Sequence, residues 1–245
     1  MRSLRASLLC LCLVALFRLP ALKADPAPPP GLPFSAPLPP ASIMPKSSAT
    51  RLASLSPAQC RAELKKRGIK SKPAGRAAPG VATPLRLDGP LNGVRFVTPG
   101  KKSVYGILDC RLALALGELS TLLVQRGVTE VRVDNMYRPR AKLPGRRKPS
   151  QHSYGLAIDI YGFGLTGGKK LDVEDDWHGD RGTPPCGPES RLNDSCEEAV
   201  TLRNLFCDVA RSGLFHHLLT PSYDEAHRNH LHLDIKRDSR DLLVK

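Results

Sequence analysis

The sequence predicts a domain of mixed helices and strands, and two kinds of pattern carry that expectation. Three stretches show helical spacing with start and stop residues at their ends. Others alternate apolar and polar residues with the period of a half-buried strand.

What precedes them has a different character. Residues 1 to 17, MRSLRASLLCLCLVALF, pair Arg2 and Arg5 with an apolar run from Leu8 to Phe17. The run is too short to span a bilayer and has the length of a secretory signal. Residues 1 to 24 are therefore expected to be a signal peptide cleaved near Ala24, and the protein to be exported. No later stretch is apolar enough for a transmembrane helix. Cleavage removes Arg2, Arg5, Arg18 and Lys23, which lowers the formal charge from +14 to +10. An exported protein of that charge is drawn to an anionic envelope polymer or lipid surface; nucleic acid is not an expected partner.

Residues 25 to 45 hold nine prolines and no regular periodicity. That composition suits a semi-extended spacer, so residues 25 to 51 are predicted to be a tether. Residues 52 to 245 then form one domain with a real core.

Within the domain, Pro57 to Arg67 follows Ser56 at an N-cap position, carries Cys60 and Leu64 at helical spacing and stops at Gly68. Cys110 to Arg126 is apolar on more than one side, as a buried helix is, and stops at Gly127. Glu198 to Arg211 is the third helix, stopped at Gly213. Five cysteines follow the signal: Cys60, Cys110, Cys186, Cys196 and Cys207. In an exported chain they are expected to be disulfide partners. Cys186 and Cys196 flank a short loop and can close it; the other three leave one thiol over.

The strands carry the chemistry. TEVRVDNMYR alternates at Val131 and Val133 and delivers Arg138 at its end. LAIDIYGF puts Leu156 and Ile158 on one face, Ala157 and Asp159 on the other. HLHLDI turns Leu231, Leu233 and Ile235 to a core and leaves His230, His232 and Asp234 on the opposite face. His152 and Asp159, seven apart, suit neither one helical face nor one strand face, so a turn must join them. Bringing the two strands together with His152 folded back gathers His152, Asp159 and His232 around one point. Three protein ligands with an open position are the pattern of a catalytic Zn²⁺ site, whereas closed structural sites use four and favour Cys. His216 and His217 lack a second ligand motif and read as structural. Trp177 and His178 lie in DVEDDWHGDRG, which reads as a solvated loop anchored by Trp177. Asp172, Glu174, Asp175 and Asp176 lack the oxygen spacing of a calcium loop.

Ser150, His152, Gly155, Ala157 and Asp159 fit S-x-H-x-x-G-x-A-x-D at every specified position. With His230-Leu231-His232, this resembles the lysostaphin, D-Ala-D-Ala carboxypeptidase and hedgehog superfamily of zinc proteins. Within it the chain is most similar to the bacterial extensin-like C-terminal domain family, on Asp109-Cys110-Arg111, Tyr137-Arg138-Pro139, Gly164 to Leu171 and His227 to Asp234. The likeness covers most of Leu52 to Lys245. It implies an α+β fold with a hedgehog/DD-peptidase-like antiparallel sheet and flanking helices, zinc on His152, Asp159 and His232, and a place in the periplasm or at the bacterial cell envelope.

The resemblance also implies catalytic roles. Arg138 matches a substrate-steadying Arg. The Glu that carboxypeptidase-type members place three before the last ligand is Asn229 here. His227, His230 and His232 are instead similar to the His cluster of penicillin-insensitive murein endopeptidases, which makes His230 the candidate base, one pleat of roughly 7 Å from His232, and gives His227 a positioning role. The expected activity is hydrolysis of a peptide or amide bond in peptidoglycan. Two other readings stand beside it: a zinc-retaining but non-catalytic wall-binding module, and a plain adhesion protein acting through its basic surface.

Overall fold

The computed structural model describes residues 31–75, 78–100, 103–143 and 145–245. The expected signal peptide lies outside the described residues, as does the start of the tether. Residues 31 to 51, predicted to be spacer, depart from that expectation, because they lie against the domain. The Phe34 amide donates to Asn204 Oδ1 at 2.7 Å, Arg211 donates to the carbonyls of Pro33 and Ala36, and Met44 is fully buried. A proline-rich segment has carbonyls to spare, and these side chains take them up while Phe34 and Met44 cover apolar surface.

Two short helices follow, α1 (Ser48–Ala53) and α2 (Pro57–Lys66). Ser56 caps α2 in a reciprocal box with Gln59, and Pro57 occupies the first turn, where no amide is needed. A small antiparallel sheet comprises β1 (Ser71–Pro73), β2 (Pro84–Leu87) and β4 (Leu108–Asp109). Strand β3 (Arg95–Val97) precedes β4 in the chain and joins the larger sheet.

Helix α3 (Cys110–Val124) is the central helix and is buried along most of its length. Asp109 caps it, accepting from the Arg111 amide at 3.0 Å, pairing with the Arg111 guanidinium and accepting from both groups of Thr83. Cys110 bonds to Cys60 and so fastens α2 to the start of α3.

The larger sheet adds β5 (Val128–Asn135), β6 (Ala157–Leu165), β7 (Lys170–Asp172), β8 (His217–Leu219), β9 (Leu231–Asp234) and β10 (Leu243–Val244). Its order is β10-β8-β9-β6-β5-β3, with β7 on the far part of β6. The central pairings are antiparallel, and β3 and β10 add parallel pairings at the two ends. Helices α4 (Val173–Asp176) and α5 (Glu197–Arg211) complete the fold. Leu119 and Leu123 of α3, Leu205, Phe206 and Val209 of α5, and Ile160, Leu231 and Leu233 of the sheet meet in one apolar layer. The fold is α+β, as predicted. Among the described residues no helix is long and apolar enough to cross a membrane.

The second disulfide corrects the expected local pairing. Cys186 bonds to Cys207, 21 residues on in α5, and not to Cys196, which is free. The reason is burial: Cys207 is wholly buried on the face of α5 against which the loop packs, whereas Cys196 stands at the helix N-cap. Peptide mapping of unreduced protein should therefore recover the 60–110 and 186–207 cross-links, with Cys196 open to alkylation. Closing a 50-residue separation restricts the unfolded chain by about 4 kcal/mol. Urea unfolding of the Cys60→Ala/Cys110→Ala protein should show a stability lower by about 2 to 5 kcal/mol.

Candidate metal centre

The strand register builds the site. Asp159 on β6 stands opposite His232 on β9 and Asn135 on β5, so one row across three strands carries Asn135, Asp159 and His232. Two residues along, the next row on that face carries Ala157, Asp234 and His217. The apolar residues that alternate with them, Ile158, Ile160, Leu231 and Leu233, point to the opposite face, under the helices.

His152 arrives from a 3-10 turn, Gln151–Tyr154. Ser150 caps that turn by accepting from the His152 amide, and Gly155 ends it at φ 63. A side chain at Gly155 would be strained by that φ and would also place its Cβ 2.9 Å from the Asp109 amide nitrogen. The Gly155 carbonyl meanwhile accepts from the Asp109 amide. The Ser and Gly of the motif thus shape the backbone, and His152 and Asp159 supply the donors.

Three donor atoms converge. His152 Nε2 is 3.0 Å from Asp159 Oδ1 and 3.1 Å from His232 Nδ1, and His232 Nδ1 is 2.9 Å from Asp159 Oδ1. All three residues are buried and can hold a metal ion. A tetrahedral ion with bonds near 2 Å needs its ligand atoms about 3.3 Å apart, so small adjustments suffice. The outward atoms are held as metal ligands usually are. His152 Nδ1 faces the Met136 carbonyl at 3.4 Å, Asn135 Nδ2 donates to Asp159 Oδ2 at 2.9 Å, and His232 Nε2 lies 3.2 Å from Asp234 Oδ2. Asp234 also meets His217 Nδ1 at 3.2 Å.

Other residues from the sequence reading lie around this centre. His230 also reaches the centre, with Nε2 3.6 Å from Asp159 Oδ1. It precedes β9, so its side chain is not confined to the strand's alternation. The ring of His227 is 5.2 Å from that of His230 and 5.9 Å from that of His232, and its Nδ1 lies 2.6 Å from Asp224 Oδ1. Arg138 follows the end of β5 with its side chain exposed; its amide donates to the His152 carbonyl at 3.1 Å, and its charge acts on the His152 ring. Trp177 anchors its loop, donating to Ser222 Oγ at 2.9 Å. Asp234 and Asn135 were not singled out as site residues. The alternation of HLHLDI already put Asp234 on the site face; nothing in the sequence near Asn135 marks it as a partner of Asp159.

The chain matches the model of the extensin-like protein C-terminus family over residues 58–243. It belongs to that family. Searches of curated proteins and of solved structures find no significant match.

The electrostatics suit a site that trades protons for a cation. Burial lowers the pKa of His152, and burial likewise lowers that of His230. Burial works to raise the pKa of Asp159, but His152 and His232 outweigh it and hold the carboxyl well below its usual range. Asp234, similarly buried but bonded to His217 and His232, sits at about 2. Burial opposes the charged form of His232, yet its bonds to Asp159 and Asp234 raise its pKa to about 9.

His232 without metal therefore keeps both ring protons at neutral pH, and a cation that takes Nδ1 must displace one. Calorimetric titration of the metal-free domain at pH 7, run in buffers of different ionisation enthalpy, should record release of about one proton per ion. Affinity should rise with pH up to about 9. The raised pKa also stabilises the metal-free fold. That contribution is full below the unfolded value of 6.5 and is lost as pH rises through about 9.

Proposed function

We propose that this protein is an exported zinc-dependent hydrolase of peptide or amide bonds in peptidoglycan, related to the lysostaphin and D-Ala-D-Ala carboxypeptidase superfamily. The observation that carries the reading is the convergence of His152 Nε2, Asp159 Oδ1 and His232 Nδ1 within 3.1 Å of one another, with one carboxylate in the set. His152, Asp159 and His232 would hold the zinc, and His₂-carboxylate is a donor set of catalytic rather than closed sites. Zinc supplies Lewis acidity toward water and toward a carbonyl oxygen.

The chain's own groups account for the proton. His230 Nδ1 lies 3.0 Å from Asn229 Oδ1, so Nδ1–H donates there and Nε2, facing the site, keeps its lone pair. Burial favours the neutral ring. His230 Nε2 accepts a proton from the attacking water and returns it to the leaving nitrogen. Asn229, which stands where carboxypeptidase-type members have their acid, fixes the tautomer of the base that replaces it. Asp224 orients His227 in the same way, beside His230. Arg138 offers forked donors to a substrate carboxylate or to the carbonyl oxygen as it gains charge.

The substrate preference follows from the rim. Arg138, Arg140, Lys142, Arg146, Arg147 and Lys148 are all exposed, and no Asp or Glu occurs from Met136 to Ile158. Among the described residues, none of these six side chains has an ion-pair partner. A solvated cationic rim beside the donor cluster draws an anionic polymer to it, and peptidoglycan stem peptides carry free carboxylates.

Metal analysis with muropeptide release tests the reading. His152→Ala, Asp159→Ala and His232→Ala should each lose most bound zinc, and retention in all three refutes the assignment. His230→Ala should keep its zinc and lose about 10²- to 10⁴-fold in turnover on a peptidoglycan fragment. Zinc-loaded protein that releases nothing from any wall preparation would favour a binding module without turnover.

A further inference from the structure

A second group of metal-ligating side chains lies in the loop between α4 and α5, where neither the sequence motif nor the centre described above reaches. His178, Asp194 and Cys196 each present a ligand atom, and the three atoms lie within 4.8 Å of one another. We propose that they form a second metal site, for a thiophilic divalent cation of the zinc class.

Three observations support the assignment. Nitrogen, carboxylate oxygen and thiolate sulfur together are a donor set for zinc and a poor one for calcium or magnesium. The cluster is also assembled by contacts outside itself. The His178 carbonyl accepts from the Asn193 amide at 2.8 Å, Asn193 Nδ2 donates to Asp180 at 2.8 Å, the Trp177 carbonyl accepts from buried Arg203 at 3.0 Å, and Cys186 is bonded to Cys207 on α5. Finally, four of the five cysteines after the expected signal form disulfides, and the fifth is the one in this cluster. Cys196 stands at the N-cap of α5 and makes no side-chain cap bond. Binding releases the thiol proton to solvent, and an open position remains for water.

The site would act on the first centre mechanically. Trp177 and Gly182 of this loop both bond to Ser222, at 2.9 and 2.6 Å, and Ser222 lies in the turn just before the 3-10 turn Glu225–His227. A cation bridging His178 to residues 194 and 196 cross-links the loop that backs that turn.

Cobalt separates the two sites, because only the second contains sulfur. Mature protein with its disulfides intact, stripped with a chelator and titrated with Co²⁺, should develop a near-ultraviolet sulfur-to-cobalt charge-transfer band. The band should survive in His152→Ala, vanish in Cys196→Ser and require more cobalt in His178→Ala and Asp194→Ala. Zinc added to the His152→Ala protein should slow alkylation of Cys196. Absence of the band from the wild-type protein overturns the proposal, whether or not the first site fills. So does a band whose cobalt dependence is unchanged in both His178→Ala and Asp194→Ala.

Discussion

A carboxylate buried between two imidazoles governs this domain. Asp159 is almost inaccessible to solvent, and an isolated charge there is costly, so every neighbour compensates for it. His152 and His232 meet one oxygen and Asn135 the other. Asp234 then answers the positive charge that His232 carries without metal, and His217 answers Asp234 in turn. The polar side of the sheet is a chain of paired polar groups in which each is tolerable because of the next.

That chain requires a fixed register. A slip of one residue between β6 and β9 would turn His232 and Asp234 into the apolar layer and Leu231 and Leu233 out of it. The helices enforce the register from the other side. Leu205, Phe206 and Val209 on α5 pack where Ile160, Leu231 and Leu233 face them, so apolar packing and the convergence of His152, Asp159 and His232 select one pairing. The Cys60–Cys110 bridge adds a constraint from a distance, because the neighbouring Asp109 amide holds the Gly155 carbonyl at the end of the turn that presents His152.

Much of this was readable in the sequence because the relevant periods are short. Alternation in LAIDIYGF and HLHLDI assigned the faces correctly, and the spacing of His152 and Asp159 demanded the turn that Ser150 and Gly155 build. The cap at Ser56 and the stop at Gly127 likewise appear where local rules put them. What stayed hidden depends on contacts between distant segments. Asn135 joins the site only through the pairing of β5 with β6. Cys186 finds Cys207 rather than nearby Cys196 because tertiary packing sets which sulfur is buried beside it. His230 comes within 3.6 Å of Asp159 from just outside β9, a contact that depends on the pairing of β6 with β9. The proline-rich residues near Phe34 pack because α5 offers Asn204 and Arg211, which local composition does not reveal.

The docking of that segment gives the domain a front and a back. Residues 33 to 37 are bound to side chains of α5, and α5 covers the sheet face opposite the one that bears Asp159 and His232. A load carried through this segment would therefore enter the fold at α5, where the Cys186–Cys207 bridge joins that helix to its preceding loop. The row of donors lies across the sheet from that point of attachment, so pulling on the segment would strain the helical layer before it disturbed the ligand geometry.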